Sequence, residues 1–338
     1  MMNFNEFKEY AKAHIMEHLP PDYQTADIRM EEIRKMNEKY TGLTVRLGES
    51  ISAPVINMDM FYQQYQDGRS MDDMMKEMAE IVQMEPPVAI DIDALRNYEN
   101  VKDKLFVRLN SVDGNEKVMS DSPYQMQADM MMTYHIYIPD RGGGGGFMSA
   151  RVTNEILKDY GITAQQLHED AIANTEILFE PKIQSMMEAL TGIPEENPTM
   201  MVVTNEQGLF GASALFCNGV MDKAADLMKG NYFVLPSSIH ETLVIPDNGD
   251  FVRSDLEKMV KEANRTVVDP SDRLSDAVYH YDSKDRIFER ADTFEKRVQT
   301  KNQERESLLG KLNDKKEQIE RTAPGIGHNK QRQAGLAI

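Results

Sequence analysis

The chain contains no tryptophan and a single cysteine, and aromatic residues make up only 7% of it. With Cys217 as its one thiol, it cannot form an internal disulfide, which is typical of a protein kept in a reducing compartment. No side chain beside Cys217 in the stretch LFCNG can act as a base, so we do not expect this thiol to be a nucleophile. Hydrophobic residues still reach 41%, enough for a core of aliphatic and methionine side chains.

Long apolar runs are missing as well. No stretch of about 18 apolar residues occurs, so the sequence predicts no transmembrane helix. The first residues, MMNFNEFKEYAKAHIMEHLPP, lack a basic start, an apolar segment and a small-residue cleavage site, and they predict neither a signal peptide nor an anchor. We therefore expect a cytoplasmic protein without membrane contact.

Positive charge is scarce in most of the chain. The net charge is −18, and residues 1–282 hold 25 Lys and Arg against 47 Asp and Glu. Residues 283–338 hold 13 basic against 9 acidic residues. Because phosphates repel an acidic surface, we do not expect residues 1–282 to bind nucleic acid. Weak binding through the tail, residues 283–338, stays open.

Hydrophobic patterning predicts an α+β fold, with short antiparallel sheets packed against helices. Residues 3–19 have an apolar stripe at helical spacing, and residues 27–58 read as a three-stranded meander. Helices are expected at 57–65 and 70–82, the second capped by Ser70. The expected divisions are an N-terminal subdomain (1–85), a main subdomain (86–290), a charged helical tail (291–321) and a disordered end (322–338).

Within the main subdomain, the pattern predicts strands and hairpins separated by helices. The helices are expected at 153–161, from Thr163 through Asn174, and at 182–190, 219–228 and 254–264, and the strands at 105–109, 130–139, 147–152, 200–204, 232–235, 242–245, 278–281 and 286–289. The glycine run 142–146 has neither a GxGxxG frame nor a following Lys-Ser/Thr. We interpret it as a hairpin loop, and not as a phosphate-binding loop.

The tail from Ala291 to Arg321 is rich in charged helix formers, with few apolar residues. Asn302 and Arg305 interrupt its apolar spacing, which favours a solvated helix over a coiled coil without excluding the latter. Lys315, Lys316 and the KQR stretch at 330–332 are too sparse for a nucleic-acid motif.

The stretch NYFVLPSSIHETLVIPD, from Asn231 to Asp247, has the most suggestive chemistry. Two apolar runs flank a turn that holds Ser237, Ser238, His240 and Glu241, our candidate binding residues. A serine hydrolase also needs a hydroxyl, an imidazole and a carboxylate. However, triad members usually come from separate segments, and no GxSxG elbow is present. Serines that cap a turn are the simpler interpretation.

The sequence predicts no cofactor and no metal. His14 and His18 are four residues apart on the first helix, a spacing that can chelate a divalent cation, but no HExxH motif accompanies them. A set built from His240, Glu241, Asp247 and Asp250 would require the following loop to fold back.

Three segments resemble a known family: VTNE at 152–155 with ANT at 173–175, LPSSIHE at 235–241, and LSDAVY at 274–279. Over about residues 3–290 the chain resembles an uncharacterised bacterial family, a domain of unknown function common in anaerobic Gram-positive gut bacteria. Its members often lie among genes of integrative and conjugative elements. The resemblance implies no reaction, cofactor or catalytic residue.

Two functions stay open from the sequence. The first is a non-catalytic accessory or interaction protein, associated with bacterial mobile elements and binding a protein partner. The alternative is a hydrolase or metal-dependent enzyme centred on Ser238, His240 and Glu241.

Overall fold

The structure is a computed structural model that describes residues 1–48, 53–84, 91–139 and 146–322; for Ser237 and residues 319–322 it describes the backbone alone. The boundary expected at Pro86 and Pro87, the loop expected at 142–145 and the disordered end expected at 323–338 lie outside the described residues. The chain divides into two compact units, Met1–Arg290 and a second that begins at Ala291. Helices and antiparallel sheets alternate along the first unit, which has the predicted α+β fold.

The described part of residues 1–83 forms a three-stranded meander covered by helices. Its elements are α1 (Phe4–His14), β1 (Asp27–Lys35), β2 (Glu38–Arg46), β3 (Val55–Asn57), α2 (Met58–Gln66) and α3 (Met71–Gln83). The strand order β1-β2-β3 confirms the predicted meander. The apolar stripe of α1 packs with the methionines of α3, and Met74, Met75 and Met78 are fully or almost fully buried. Methionine therefore fills the core of this region.

Two details of this region differ from the predictions. The first helix ends as an α-helix at His14, and a 3-10 turn, Ile15–His18, continues it. Ser70 precedes α3 in an extended conformation, but its side chain makes no capping hydrogen bond. Acidic Asp72 and Asp73 in the first turn still favour this helix start through the helix dipole.

The next region is a sheet in which one long strand pairs on both sides. Its elements are α4 (Ile92–Leu95), α5 (Tyr98–Val101), β4 (Leu105–Ser111), α6 (Glu116–Asp121), β5 (Tyr124–Gln127), β6 (Met130–Pro139), β7 (Phe147–Arg151), α7 (Asn154–Tyr160) and α8 (Ala164–Leu178). Strand β6 pairs antiparallel with β4 and also with β5 and β7. Both predicted helices are present: Thr153 and Thr163 cap α7 and α8, and the left-handed Gly161 ends α7.

The last region of the first unit is a six-stranded sheet in the order β13-β12-β10-β11-β9-β8. Its elements are β8 (Pro181–Ser185), α9 (Met186–Thr191), β9 (Met201–Asn205), α10 (Val220–Met228), β10 (Tyr232–Ser238), β11 (Glu241–Pro246), α11 (Arg253–Thr266), β12 (Tyr279–Asp282) and β13 (Ile287–Arg290). The predicted hairpins β10–β11 and β12–β13 are both present. The hairpin β10–β11 lies at the centre of the sheet.

The predicted helix at 182–190 is wrong. Residues Pro181–Ser185 form an edge strand paired with β9, and the helix begins only at Met186. Ser185 ends the strand and caps the helix, because its hydroxyl accepts a hydrogen bond from the Glu188 N–H at 3.0 Å. An edge strand tolerates Pro181, which has no N–H to give to a ladder.

A hydrogen-bonded asparagine pair joins the β1–β2 hairpin to the rest of the first unit. Asn37, at the hairpin tip, has a left-handed φ of 58°. Its N–H donates to Asn115 Oδ1 at 2.8 Å, and its Nδ2 donates to the carbonyl oxygens of Ser271 and Arg273 at 3.0 and 2.9 Å. Asparagine tolerates the left-handed region better than most residues, so one side chain both forms the turn and fixes the hairpin.

The second unit contains one long helix, α12 (Ala291–Thr322), which confirms the predicted C-terminal helix. Its 32 residues span about 48 Å. All side chains from Lys301 to Gln318 are exposed. Among the described residues, no helix is both long and apolar enough to cross a membrane.

Candidate functional site

The four candidate residues lie in the turn that joins the two central strands of the large sheet. Strands β10 and β11 stay in register from Tyr232 to Leu235, and a bulge then shifts the pairing so that Ser238 faces Glu241. Ser238 Oγ accepts a hydrogen bond from the His240 N–H at 3.0 Å. The serine hydroxyl therefore closes the turn, as expected for a local serine turn. The Ser237 side chain lies outside the described part of the chain.

The His240 ring is fixed on both sides by neighbouring segments. Its Nδ1 accepts a hydrogen bond from the Phe210 N–H at 3.2 Å. A neutral imidazole that accepts at Nδ1 carries its proton on Nε2, and Nε2 lies 3.6 Å from Asp272 Oδ1. This ring has no free base nitrogen for the Ser238 hydroxyl. Glu241 is half-buried, and its carboxylate makes no hydrogen bond or ion pair with the described residues.

Backbone contacts hold the same turn from three sides. Ile239 donates its N–H to the Asp272 carbonyl at 2.8 Å and accepts from the Ala212 N–H at 3.2 Å. The Thr204 hydroxyl donates to the His240 carbonyl at 2.8 Å. The contact is so close that a Cβ on Gly211 would lie 2.3 Å from Thr204 Oγ1 and 2.5 Å from the His240 carbonyl oxygen. The backbone of the turn is therefore closely packed against these segments.

An aromatic and cationic stack covers the His240 ring. Phe210 lies parallel to it, with ring centroids 5.7 Å apart, and the Arg108 guanidinium lies 3.5 Å above the Phe210 ring. Burial lowers the pKa of Arg108 to about 10, although the charge of Asp272 opposes that shift. We call Arg108, Phe210, His240 and Asp272 the Arg108 stack. Its members come from four separate segments of the first unit.

A buried polar chain continues behind Arg108 on strands β4 and β6. Asn110 Nδ2 donates to the Arg108 carbonyl at 3.0 Å and to Thr133 Oγ1 at 2.9 Å. Thr133 Oγ1 lies 3.0 Å from His135 Nε2. Burial, together with the charges of Arg108 and Arg151, holds the pKa of His135 well below its ordinary value. His135 is therefore a neutral core histidine at physiological pH.

The single thiol is not poised for chemistry. Cys217 is buried, and burial, with a smaller contribution from the Glu176 charge, raises its pKa to about 12. A reactive cysteine needs a low pKa and access to solvent. The Cys217 thiol therefore stays protonated at neutral pH.

The histidines considered as metal ligands have other polar neighbours in the structure. His14 ends α1, where its Nδ1 lies 2.9 Å from Glu17 Oε1, whereas His18 lies in the following 3-10 turn. Asp247 is close to a different histidine than the one considered, since its Oδ2 lies 3.0 Å from His280 Nε2. The described residues hold no group of three or more His, Cys, Asp or Glu side chains that could bind a metal ion.

Sequence reasoning located the turn but missed the side chains that surround it. Arg108, Phe210 and Asp272 carry no motif, and each is more than 25 residues from His240 along the chain. One signal was present: an arginine inside the apolar run LFVRL predicts either an exposed strand face or a buried cation that needs a partner. That signal does not identify Phe210 as the partner.

The first unit is an α+β domain in which the Ser238–Glu241 turn is held by backbone and side-chain hydrogen bonds. The chain belongs to a family of unknown function, DUF5688, whose sequence profile matches residues 4–283. The match ends before α12, so the family domain corresponds closely to the first compact unit. No curated protein and no solved structure matches the chain.

Proposed function

We propose that this protein is a non-catalytic interaction protein that uses α12 to bind a protein partner. One observation carries the proposal: Leu308, Leu309 and Leu312 are 60%, 51% and 61% exposed on that helix. Helices that present neighbouring apolar side chains to solvent commonly dock into a groove or pair with another helix. A coiled coil with the partner is one form that this contact would take.

The geometry around His240 also supports a non-catalytic role, because it does not match that of a catalytic serine and histidine. The hydroxyl of Ser238 and the Nδ1 atom of His240 both accept hydrogen bonds from backbone N–H groups. A catalytic serine and histidine would instead be bonded to each other. We propose a cytoplasmic protein of bacterial mobile elements, a context taken from the resemblance of its sequence segments.

A pull-down with matched variants tests the proposal. The full chain is compared with a form in which Leu308, Leu309 and Leu312 are all changed to Lys, and with a control in which Lys311 and Lys315 are changed to Gln. We expect the full chain and the control to retain the same partner and the leucine variant to lose it. Equal retention by all three would contradict a role for these leucines.

Two further measurements test the rival functions. Hydrolysis of nitrophenyl esters, with and without added zinc or magnesium, should not exceed that of the Ser238→Ala and His240→Ala variants. Activity that both substitutions abolish would establish the hydrolase instead. Salt-sensitive DNA binding that disappears when the chain ends at Arg290 would establish the tail as a nucleic-acid contact.

A further inference from the structure

A polar cleft of about 900 Å³ lies in the first unit. Its walls come from the β1–β2 hairpin, from residues 111–118 and from the segment 270–276, and Asn264 of α11 also lines it. The volume falls within the range of small-molecule sites. We call this space the polar cleft.

The walls of the polar cleft are fixed to one another. Asn37 in the hairpin bonds to Asn115 and to the carbonyl oxygens of Ser271 and Arg273, so one residue joins all three segments. On the far wall, the Tyr279 hydroxyl donates to Asp129 Oδ1 at 2.5 Å, and its oxygen lies 2.9 Å from Ser275 Oγ. A cleft with fixed walls binds a ligand without first ordering them.

Two groups of the cleft wall lack the hydrogen bonds that buried polar atoms normally make. Asn264 is 3% exposed, and its Nδ2 donates to the Ser275 carbonyl and to Asp276 Oδ1, but its buried Oδ1 has no partner among the described residues. The buried Nε of Arg273 also lacks a described partner. Because the two Nδ2 contacts are both acceptors, the amide orientation of Asn264 is fixed. Both residues line the polar cleft.

The charges around the cleft are balanced, unlike those of the acidic body. Seven carboxylate and six cationic side chains line it. Several of them pair with each other, as Glu32 does with Arg34 and Lys39. The described lining includes no aromatic side chain, so a nucleobase or a sugar ring would have nothing to stack on. A ligand with balanced charge fits this lining better than an anion or a cation.

We propose that the polar cleft binds the zwitterion of a free amino acid or a short peptide. The ligand carboxylate accepts from the Arg273 guanidinium, whose Nε–H and terminal N–H form a fork suited to carboxylates. The ligand ammonium donates to Asn264 Oδ1 beside the Asp276 carboxylate. One ligand thereby satisfies both orphaned wall groups. This site is independent of the partner proposed for α12.

Thermal unfolding of the full chain, measured with one added small molecule at a time, tests the proposal. The probes are L-alanine, L-glutamate, L-lysine and alanyl-alanine, with sodium acetate and ethylammonium chloride as half-ligands. At ten times its Kd, a bound probe should raise the Tm by about 2–3 °C. We expect such a shift from at least one zwitterion and from neither half-ligand. A shift with the amino acids alone identifies a free amino acid as the ligand, and a shift with alanyl-alanine alone identifies a short peptide.

Matched arginine variants place the binding in the cleft. Arg273→Met removes the guanidinium and should weaken binding at least tenfold by titration calorimetry, whereas Arg265→Met changes an exposed arginine of α11 outside the lining and should leave it unchanged. The proposal is overturned if no zwitterion shifts the Tm, if acetate alone shifts it equally, or if both variants behave alike. Loss of partner capture through α12 would leave these results unaffected.

Discussion

The turn at Ser238–His240 and the polar cleft are both rich in polar side chains, but they use them in opposite ways. In the turn, the Ser238 hydroxyl, the His240 ring and the His240 carbonyl all accept hydrogen bonds from the fold. In the cleft, Asn264 Oδ1 and Arg273 Nε remain without a described partner. The turn looked more like a site in sequence, whereas the cleft is the site proposed above.

This difference has an energetic meaning. A satisfied hydrogen bond contributes about 1 kcal/mol to stability, whereas a buried polar group without a partner costs about 1–3 kcal/mol. Groups of the first kind maintain a fold, and groups of the second kind are commonly kept for a ligand or water. Substitutions in the turn should therefore reduce the free energy of unfolding, and substitution of the orphaned cleft arginine should not.

The largest effect is expected for Gly211→Ala. The new Cβ would lie 2.3 Å from Thr204 Oγ1, 2.5 Å from the His240 carbonyl oxygen and 2.9 Å from the Asn205 nitrogen. Two of these atoms are backbone, so the turn itself must shift, and we expect a loss of about 3 kcal/mol. Urea unfolding followed by circular dichroism measures it.

Gly208→Ala is the matched control, because its Cβ would meet no atom within 4 Å although its φ is +65°. It should cost about 1 kcal/mol from backbone strain alone. Equal losses for the two glycines would show that the Gly211 contact is not close-packed.

The second effect is a pH dependence from His135. Its folded-state pKa lies well below the ordinary 6.5. Between pH 6.5 and 5 the unfolded chain therefore takes up a proton that the folded chain does not, and stability falls as the pH falls. The loss over this window is at most about 1.6 kcal/mol, because the unfolded chain is already half protonated at pH 6.5.

The charges that face His135 belong to Arg108 and Arg151, and neither titrates between pH 5 and 7. Urea unfolding at several pH values, compared with His135→Gln, isolates the contribution of this ring. Gln keeps a polar group near Thr133 but does not titrate. Parallel stability curves for the two proteins would show that His135 is not the buried neutral histidine described above.

A smaller effect is expected for His240→Ala. The substitution removes the acceptor of the Phe210 N–H and the ring stacked on Phe210. We expect a loss of about 1.5 kcal/mol, and about half of that for His240→Asn, whose amide oxygen can replace Nδ1. Thermal and urea unfolding measure both variants. If His240→Ala proves as stable as the unchanged protein, the turn is not held through this ring.

Local sequence rules predicted the elements whose signals are contained within a few residues. The helix starts near Thr153 and Thr163, the helix end near Gly161 and the hairpin β10–β11 were all correct, because turn and cap chemistry acts over neighbouring residues. The error at Lys182–Leu190 has the same origin. The apolar spacing there continues from strand into helix, and only pairing with β9 makes Pro181–Ser185 a strand.

Local sequence rules could not predict which side chains surround His240. Arg108, Phe210 and Asp272 reach it from β4, from the segment after β9 and from the segment after α11. Asn37 and Asn115 likewise meet over 78 positions of sequence. Contacts at such separations depend on the packing of three sheets, which a single sequence does not reveal without related sequences.

The smallest change in the free energy of unfolding should come from Arg273→Met. The sign of that change tests the contrast between the turn and the polar cleft. The backbone carbonyl of Arg273 accepts from Asn37, and that contact survives any change of side chain. The side-chain Nε is buried without a described partner, so its removal relieves a desolvation cost. We expect a change within about 0.5 kcal/mol, neutral or stabilising, in urea unfolding without ligand. A loss above about 1 kcal/mol would mean that Arg273 maintains the fold as His240 does, and the contrast between turn and cleft would disappear.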